Sequence, residues 1–281
     1  MIARSAAALA ALLLLGACAA QSPSPRGGGS SPYPYAPDQL VLRVAYTGGF
    51  VTPQVVVSRL PLVSVYGDGR VLTEGPTPAI YPGPALPNLQ VGHLEQSAVQ
   101  DLVSAALEAG VGETGDLGSP PVADAPSTLI TVSTGLETLQ REVYALRETA
   151  PDGGGLTAQQ VEARKKLSHL VDRLTSLSAR ASEPYSPETV AGIVGPYTPD
   201  EDPVLVQPDQ PWPGPELPGE PLPGPTGLSC VVAGGDQATA VLAAAGNGNA
   251  LTPWVGADGS RWSVTFRPLL PDESGCADLL P

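Results

Sequence analysis

Two histidines, His93 and His169, are the only side chains in this 281-residue chain whose ordinary pKa lies near neutrality. His93 is followed by Glu95 and Ser97, and an imidazole, a carboxylate and a hydroxyl are the groups that nucleophilic catalysis employs. Catalytic triads are assembled from distant segments rather than from neighbours in sequence, so this trio reads as the solvated start of a helix. His169, among Lys165, Lys166, Asp172 and Arg173, reads as the outer face of another helix. There is no Gly-x-Ser-x-Gly elbow, no His-Glu-x-x-His, no phosphate-cradling glycine loop and no EF-hand loop. Asp68 and Asp258 have turn chemistry to account for them, while Glu74, Asp272 and Glu273 lie near proline-flanked ends with no spacing that singles out a pair. The expectation is a non-catalytic protein with no cofactor and no metal site.

Charge narrows the partners. Fourteen basic residues stand against 28 acidic ones, a net of −14, which phosphate backbones repel, so nucleic acid is not an expected ligand. The only lysines, Lys165 and Lys166, join Arg164, Arg173 and Arg180 in the one basic patch. That patch is a candidate contact for a partner carboxylate or a lipid headgroup, set against the plainer reading of a charged outer helix face.

The three cysteines are best taken from the N-terminus. Ala6 to Leu15 is an apolar run of ten residues preceded by Arg4. It is too short for a membrane span, which takes about 20 residues, and has the length of a signal-peptide core. Leu15-Gly16-Ala17-Cys18 resembles the processing box of bacterial lipoproteins. That resemblance implies removal of residues 1–17, a diacylglyceryl group on the Cys18 sulfur (palmitate-type chains) and attachment to the cell membrane on its extracytoplasmic face. Residues 18–39, rich in Ser, Pro and Gly, then read as a disordered tether. With Cys18 so assigned, Cys230 and Cys276 remain as an even pair in an oxidising compartment, where a disulfide is expected. A two-cysteine metal site is the alternative, although no histidine lies near either.

These groups must be positioned by a chain in which prolines (33) and glycines (32) make up nearly a quarter of the residues and aromatics only 5%, so the core must be largely Val, Leu and Ala. Residues 39–50 carry a strand core ending at Gly48-Gly49. Residues 55–75 hold Asp68-Gly69 between apolar runs, a hairpin signal, and a short strand is expected at 89–94. Ser97 and Gln100 form a capping-box pattern ahead of a helix stopped by Gly110. A strand follows at 128–135. Residues 136–146 fit a helical period and a hairpin partner alike, with Gly135 favouring the hairpin. Thr157 and Gln160 form a second capping box for a long helix reaching about Arg180, and 187–197 reads as a further strand. Hairpin then helix, twice, predicts an α+β fold, an antiparallel sheet with helices on one face over residues 40–197.

Residues 198–227 read as a proline-rich linker, and 228–281 as a small disulfide-linked β/α subdomain. There Asp236 is expected to cap a helix, with strands at Leu251 to Val255 and Arg261 to Phe266 around Asp258-Gly259. Tyr81-Pro-Gly-Pro-Ala-Leu-Pro87 is echoed by Trp212-Pro-Gly-Pro-Glu-Leu-Pro218. Each motif reads as a type II turn whose aromatic and leucine close the edge of a core. Displayed instead, Tyr81 and Trp212 would be rigid clips for a partner.

VLRVAYTGGF, SVYGDGRV, YPGPALPNLQ and RPLLPDESGC are similar to phrases of uncharacterised exported lipoproteins of high-GC actinobacteria, a resemblance covering most of residues 40–281 that implies no activity. The layout of residues 41–110, with its Gly-Gly-Phe, Asp-Gly hairpin and short helix, resembles emfourin-type protease inhibitors, and no inhibitory residue carries over. The leading expectation is a lipid-anchored, non-catalytic protein binding an envelope or extracellular partner. An extracellular protease inhibitor is the alternative, and a hydrolase whose site is not evident comes third.

Overall fold

A computed structural model describes residues 35–148, 154–181 and 183–280. Cys18, the leader before it and most of the expected tether lie outside the described residues. The last tether residues do not: Tyr35 is buried, its hydroxyl donating to the Ser133 carbonyl, and the Gly67 amide donates to the Gln39 carbonyl. Folded chain therefore begins before residue 40.

The first sheet is a seven-stranded arrangement of β1 (Leu40–Gly48), β2 (Val63–Tyr66), β3 (Arg70–Glu74), β4 (Leu89–His93), β5 (Pro126–Ser133), β6 (Thr138–Tyr144) and β7 (Glu183–Pro184). Its order is β6-β5-β1-β2-β3-β4-β7, and every pairing is antiparallel. Tyr66 and Arg70 flank the Asp68-Gly69 turn, where Gly69 takes a positive φ and Asp68 accepts from the Arg70 amide. Residues 138–144 pair with β5, so the hairpin and not the helical period describes this segment.

Helices α2 (Gln96–Glu108) and α3 (Ala158–Thr175), the latter continued by a 3-10 turn (Ser176–Arg180), cover one face of this sheet. Alternation along the strands sends Val44, Val65, Val71, Ile130 and Val132 toward Leu102, Ala106, Leu170, Val171 and Leu174. The Thr157–Gln160 capping box forms. The Ser97–Gln100 box does not. Because the Leu94 amide still bonds to the Gly69 carbonyl, the chain leaves the sheet only there, and the helix starts at once with Glu95 as an N-cap that makes no side-chain bond.

A short helix overlapping the start of the 55–75 stretch, α1 (Pro53–Ser58), precedes the hairpin. Thr52 caps it through its side chain and Pro53 occupies the first turn, a start signal present in the sequence.

The second sheet joins β8 (Thr189–Pro196), β9 (Gln210–Pro211), β10 (Glu220–Pro221), β11 (Ser229–Gly234), β12 (Trp254–Val255) and β13 (Arg261–Pro268) in the order β10-β11-β8-β13-β12-β9. The strand expected to close the first unit, β8, is thus central here, between β11 and β13. The proline-rich segment supplies the two edges, as a residue lacking an amide hydrogen requires. Helix α4 (Gly235–Gly246) packs on Val190, Val194, Val231 and Phe266. Asp236 lies in its first turn rather than at the N-cap, which Gly234 occupies, and there its charge complements the helix dipole. Residues 249–252 form a turn closed by the Thr252 amide donating to the Asn249 carbonyl, so the strand there is only Trp254–Val255.

The opposite face of the second sheet carries Val57 of α1 with Ile193, Leu269 and Leu279. Leu270 packs instead on Tyr66, Leu72 and Leu89 of the first sheet. The segment 269–279 therefore lies against both sheets. Cys230 on β11 and Cys276 form a disulfide, Cα to Cα 6.2 Å, across 46 residues of sequence.

Candidate functional site

β8 ends at Pro196, and the next residues turn outward on a chain of Asx turns. Asp200 Oδ1 accepts from the Asp202 amide and Asp202 Oδ1 from the Val204 amide, both at 2.9 Å. These bonds hold an acidic run bracketed by prolines in one conformation. The opposite wall is set by Asn249, which accepts from the Leu251 amide at 2.9 Å and donates to Gln207 Oε1 at 2.7 Å. Gly83, inside the first Pro-Gly-Pro motif, accepts from the Ala250 amide. Between the walls is an open groove of about 540 Å³ lined by Tyr197, Asp200, Glu201, Leu205, Leu251 and Ser263 among others.

Asp200 and Glu201 make part of the groove negative, and Leu205, Ala250 and Leu251 add apolar surface to its lining. Asp200, Glu201 and Asp202 form no ion pair among the described residues. Arg261, which interacts with Tyr197 of the groove, is held by Asp209, whose hydrogen bond at 2.7 Å and negative charge raise the guanidinium pKa. Exposed Val204 and Val206 extend the apolar surface beyond the cavity. This arrangement suits a cation-bearing ligand with an apolar body. Sequence reasoning passed over it, although the Thr198-Pro-Asp-Glu-Asp-Pro203 run was the available signal.

The residues expected to contact partners separate. Trp212 is an internal support, with ring centroids 5.7 Å from Trp254 and 6.2 Å from Phe266, and its indole N–H donates to the Pro215 carbonyl. Tyr81 is 70% exposed, next to exposed Ile80. Leu86 and Leu217 of the two motifs pack into the same core as Trp212, so of the four motif side chains only Tyr81 is displayed. Lys165 and Lys166 are exposed on α3. Arg164 beside them is buried and donates to the carbonyls of Tyr144 and Ala145, and burial lowers its pKa. His93, Glu95 and Ser97 are all exposed, and no hydrogen bond among the described residues joins them. Among the described residues no three His, Cys, Asp or Glu side chains come together as metal ligands, and no helix is long and apolar enough to cross a membrane.

One further feature stands apart. Beyond the far end of β1, Phe50 is 88% exposed. Gly48 and Gly49 take positive φ, the Phe50 amide donates to the Asp124 carbonyl, and Arg59 donates to the Gly48 carbonyl. Compared with known proteins, the chain matches no family model, no curated protein and no solved structure.

Proposed function

We propose that this protein is a non-catalytic binding module, held on the extracytoplasmic face of the cell membrane through an acylated Cys18. Its groove beside Tyr197 receives a cation-bearing, extended segment of an envelope or extracellular partner. The observation that carries this reading is the groove itself: two walls locked by hydrogen bonds, leucines among its lining, and two lining carboxylates, Asp200 and Glu201, without a cationic partner among the described residues. A preorganised rim of this kind lowers the ordering cost of binding and favours positive ligands through charge. Two acyl chains at Cys18 would hold the protein firmly where one would bind only marginally.

The test measures binding of the purified chain to a set of extended peptides with and without Lys and Arg. Binding to the basic peptides should weaken with salt and fall about tenfold in Asp200→Asn/Glu201→Gln, the scale of rim-charge effects. Equal binding by that variant would remove the groove from the account. Hydrolysis of model peptides, esters or glycans by the wild-type chain, abolished by a point substitution, would overturn the non-catalytic reading. Separately, Cys18→Ser should move the protein out of the membrane fraction.

The exposed Phe50 favours a second reading, a protease inhibitor that presents this tip. It requires submicromolar inhibition of a secreted metallo- or serine protease, lost in Phe50→Ala, and a clean negative against both classes removes it.

A further inference from the structure

Among the described residues, arginine side chains are almost all engaged. Arg43, Arg70, Arg147, Arg261 and Arg267 each pair with a carboxylate, while Arg59, Arg141 and Arg164 donate to backbone carbonyls. Two are not. Arg173 and Arg180 are exposed, have no carboxylate or carbonyl partner among the described residues, and line the same cleft of about 250 Å³. The cleft lies between the start of α2 and the end of α3, with Leu94, Leu102 and Leu177 as its floor and Asp101 on its α2 wall.

Its position is as informative as its chemistry. A Cβ at Gly92 would stand 2.4 Å from the Arg180 carbonyl, so the 3-10 turn carrying Arg180 rests directly on β4 and the cleft has a rigid back. Gln100, on the same turn of α2 as Ala98 and Asp101 of the cleft, has its side chain beside the Tyr35 hydroxyl. Tyr35, the first described residue, thus has its hydroxyl against α2, the helix that forms one wall of the cleft. At the same end, the β5–β6 turn displays Leu136, 98% exposed, with Gly135 close to the Tyr35 ring.

We propose that this cleft binds the phosphate group of an anionic phospholipid, gripped by Arg173 and Arg180, with the first carbons of the lipid on the leucine floor. Guanidinium groups present paired donors that match phosphate oxygens. Two positive charges against Asp101 leave the cleft one positive charge, which suits a phosphodiester monoanion. The apolar floor favours a lipid over free phosphate, and the position of Tyr35 against α2 favours a membrane surface as its source. The site is separate from the Tyr197 groove, and its existence does not require acylation of Cys18.

The test uses the full chain carrying Cys18→Ser, so that no acyl group contributes. Its binding is measured on vesicles of phosphatidylcholine alone and of phosphatidylcholine with phosphatidylglycerol in equal parts. Phosphatidylglycerol should strengthen binding, and Arg173→Gln/Arg180→Gln should reduce that gain about thirtyfold, the scale of two cationic side chains at an anionic surface. Lys165→Gln/Lys166→Gln, which removes the same charge elsewhere on α3, should reduce it much less, and Asp101→Asn should increase it. Equal losses from both double variants would mean diffuse charge attraction and overturn the site. Competition by inorganic phosphate as effective as that by a short-chain phosphatidylglycerol would overturn the lipid assignment. Acylation is read separately, from the membrane fractionation of the unsubstituted chain.

Discussion

Arg43 on β1 and Asp272 near the C-terminus meet at 2.7 Å across 229 residues of sequence, and the Tyr66 hydroxyl donates to the same carboxylate oxygen at 2.7 Å. One residue on, Glu273 accepts from Arg267 of β13 at 2.7 Å and from the Leu270 amide at 2.8 Å. Adjacent carboxylates on one short segment thus bind the first sheet and the second. Burial, ahead of the neighbouring charges, pushes the Tyr66 hydroxyl far above its ordinary pKa, so it remains a donor throughout the accessible pH range.

Replacing Asp272 by Ala should therefore cost about 3 kcal/mol, because the Arg43 charge and the Tyr66 hydroxyl are left enclosed without their acceptor. Urea unfolding of the two proteins gives the difference. A loss no larger than that of an ordinary surface substitution would mean that the segment does not clasp the sheets.

The disulfide fastens the same segment covalently to β11. In the loop-entropy treatment a closed loop of this length is worth about 4 kcal/mol, so Cys230→Ser/Cys276→Ser should unfold at clearly lower denaturant. Wild-type protein in the presence of a dithiol reductant should behave alike.

The two echoed aromatics should answer oppositely to truncation. Trp212→Ala removes a ring packed between Trp254 and Phe266 and should destabilise by about 3 kcal/mol. Tyr81→Ala, at an exposed site, should stay within about 0.5 kcal/mol of wild type. Thermal melts of the pair check both.

Acid should loosen the C-terminal turn. Asp278 accepts from the amide and hydroxyl of Ser274 and from the Gly275 amide, bonds that favour the carboxylate and hold its pKa below the usual value. A depressed folded pKa stabilises above the unfolded value and is lost as pH falls through the folded one. Asp278→Asn should accordingly lose less of its melting temperature between neutral pH and strong acid than wild type does.

Local signals in the sequence determined much of this molecule. The Asp68-Gly69 and Asp258-Gly259 hairpins, the Thr157–Gln160 cap, the inward alternation of Trp262, Val264 and Phe266, and the Cys230–Cys276 pair are each encoded within a few residues or by simple parity, and all are present. What only the tertiary structure decided is long-range pairing. Nothing within Thr189–Pro196 says whether it pairs with the strands before it or with those after it, since the choice rests on backbone bonds to residues 229–234 and 261–268. The same holds for the start of α2, fixed by a bond from Leu94 to Gly69, and for Trp212, whose linker-like neighbours conceal that its ring completes an aromatic core. The Tyr197 groove and the Arg173–Arg180 cleft belong to that second class, because each brings together segments that are distant in sequence and share no motif. Turn and cap energies are local and leave a mark on composition, whereas the partner of a buried face or an unspent guanidinium is set by packing.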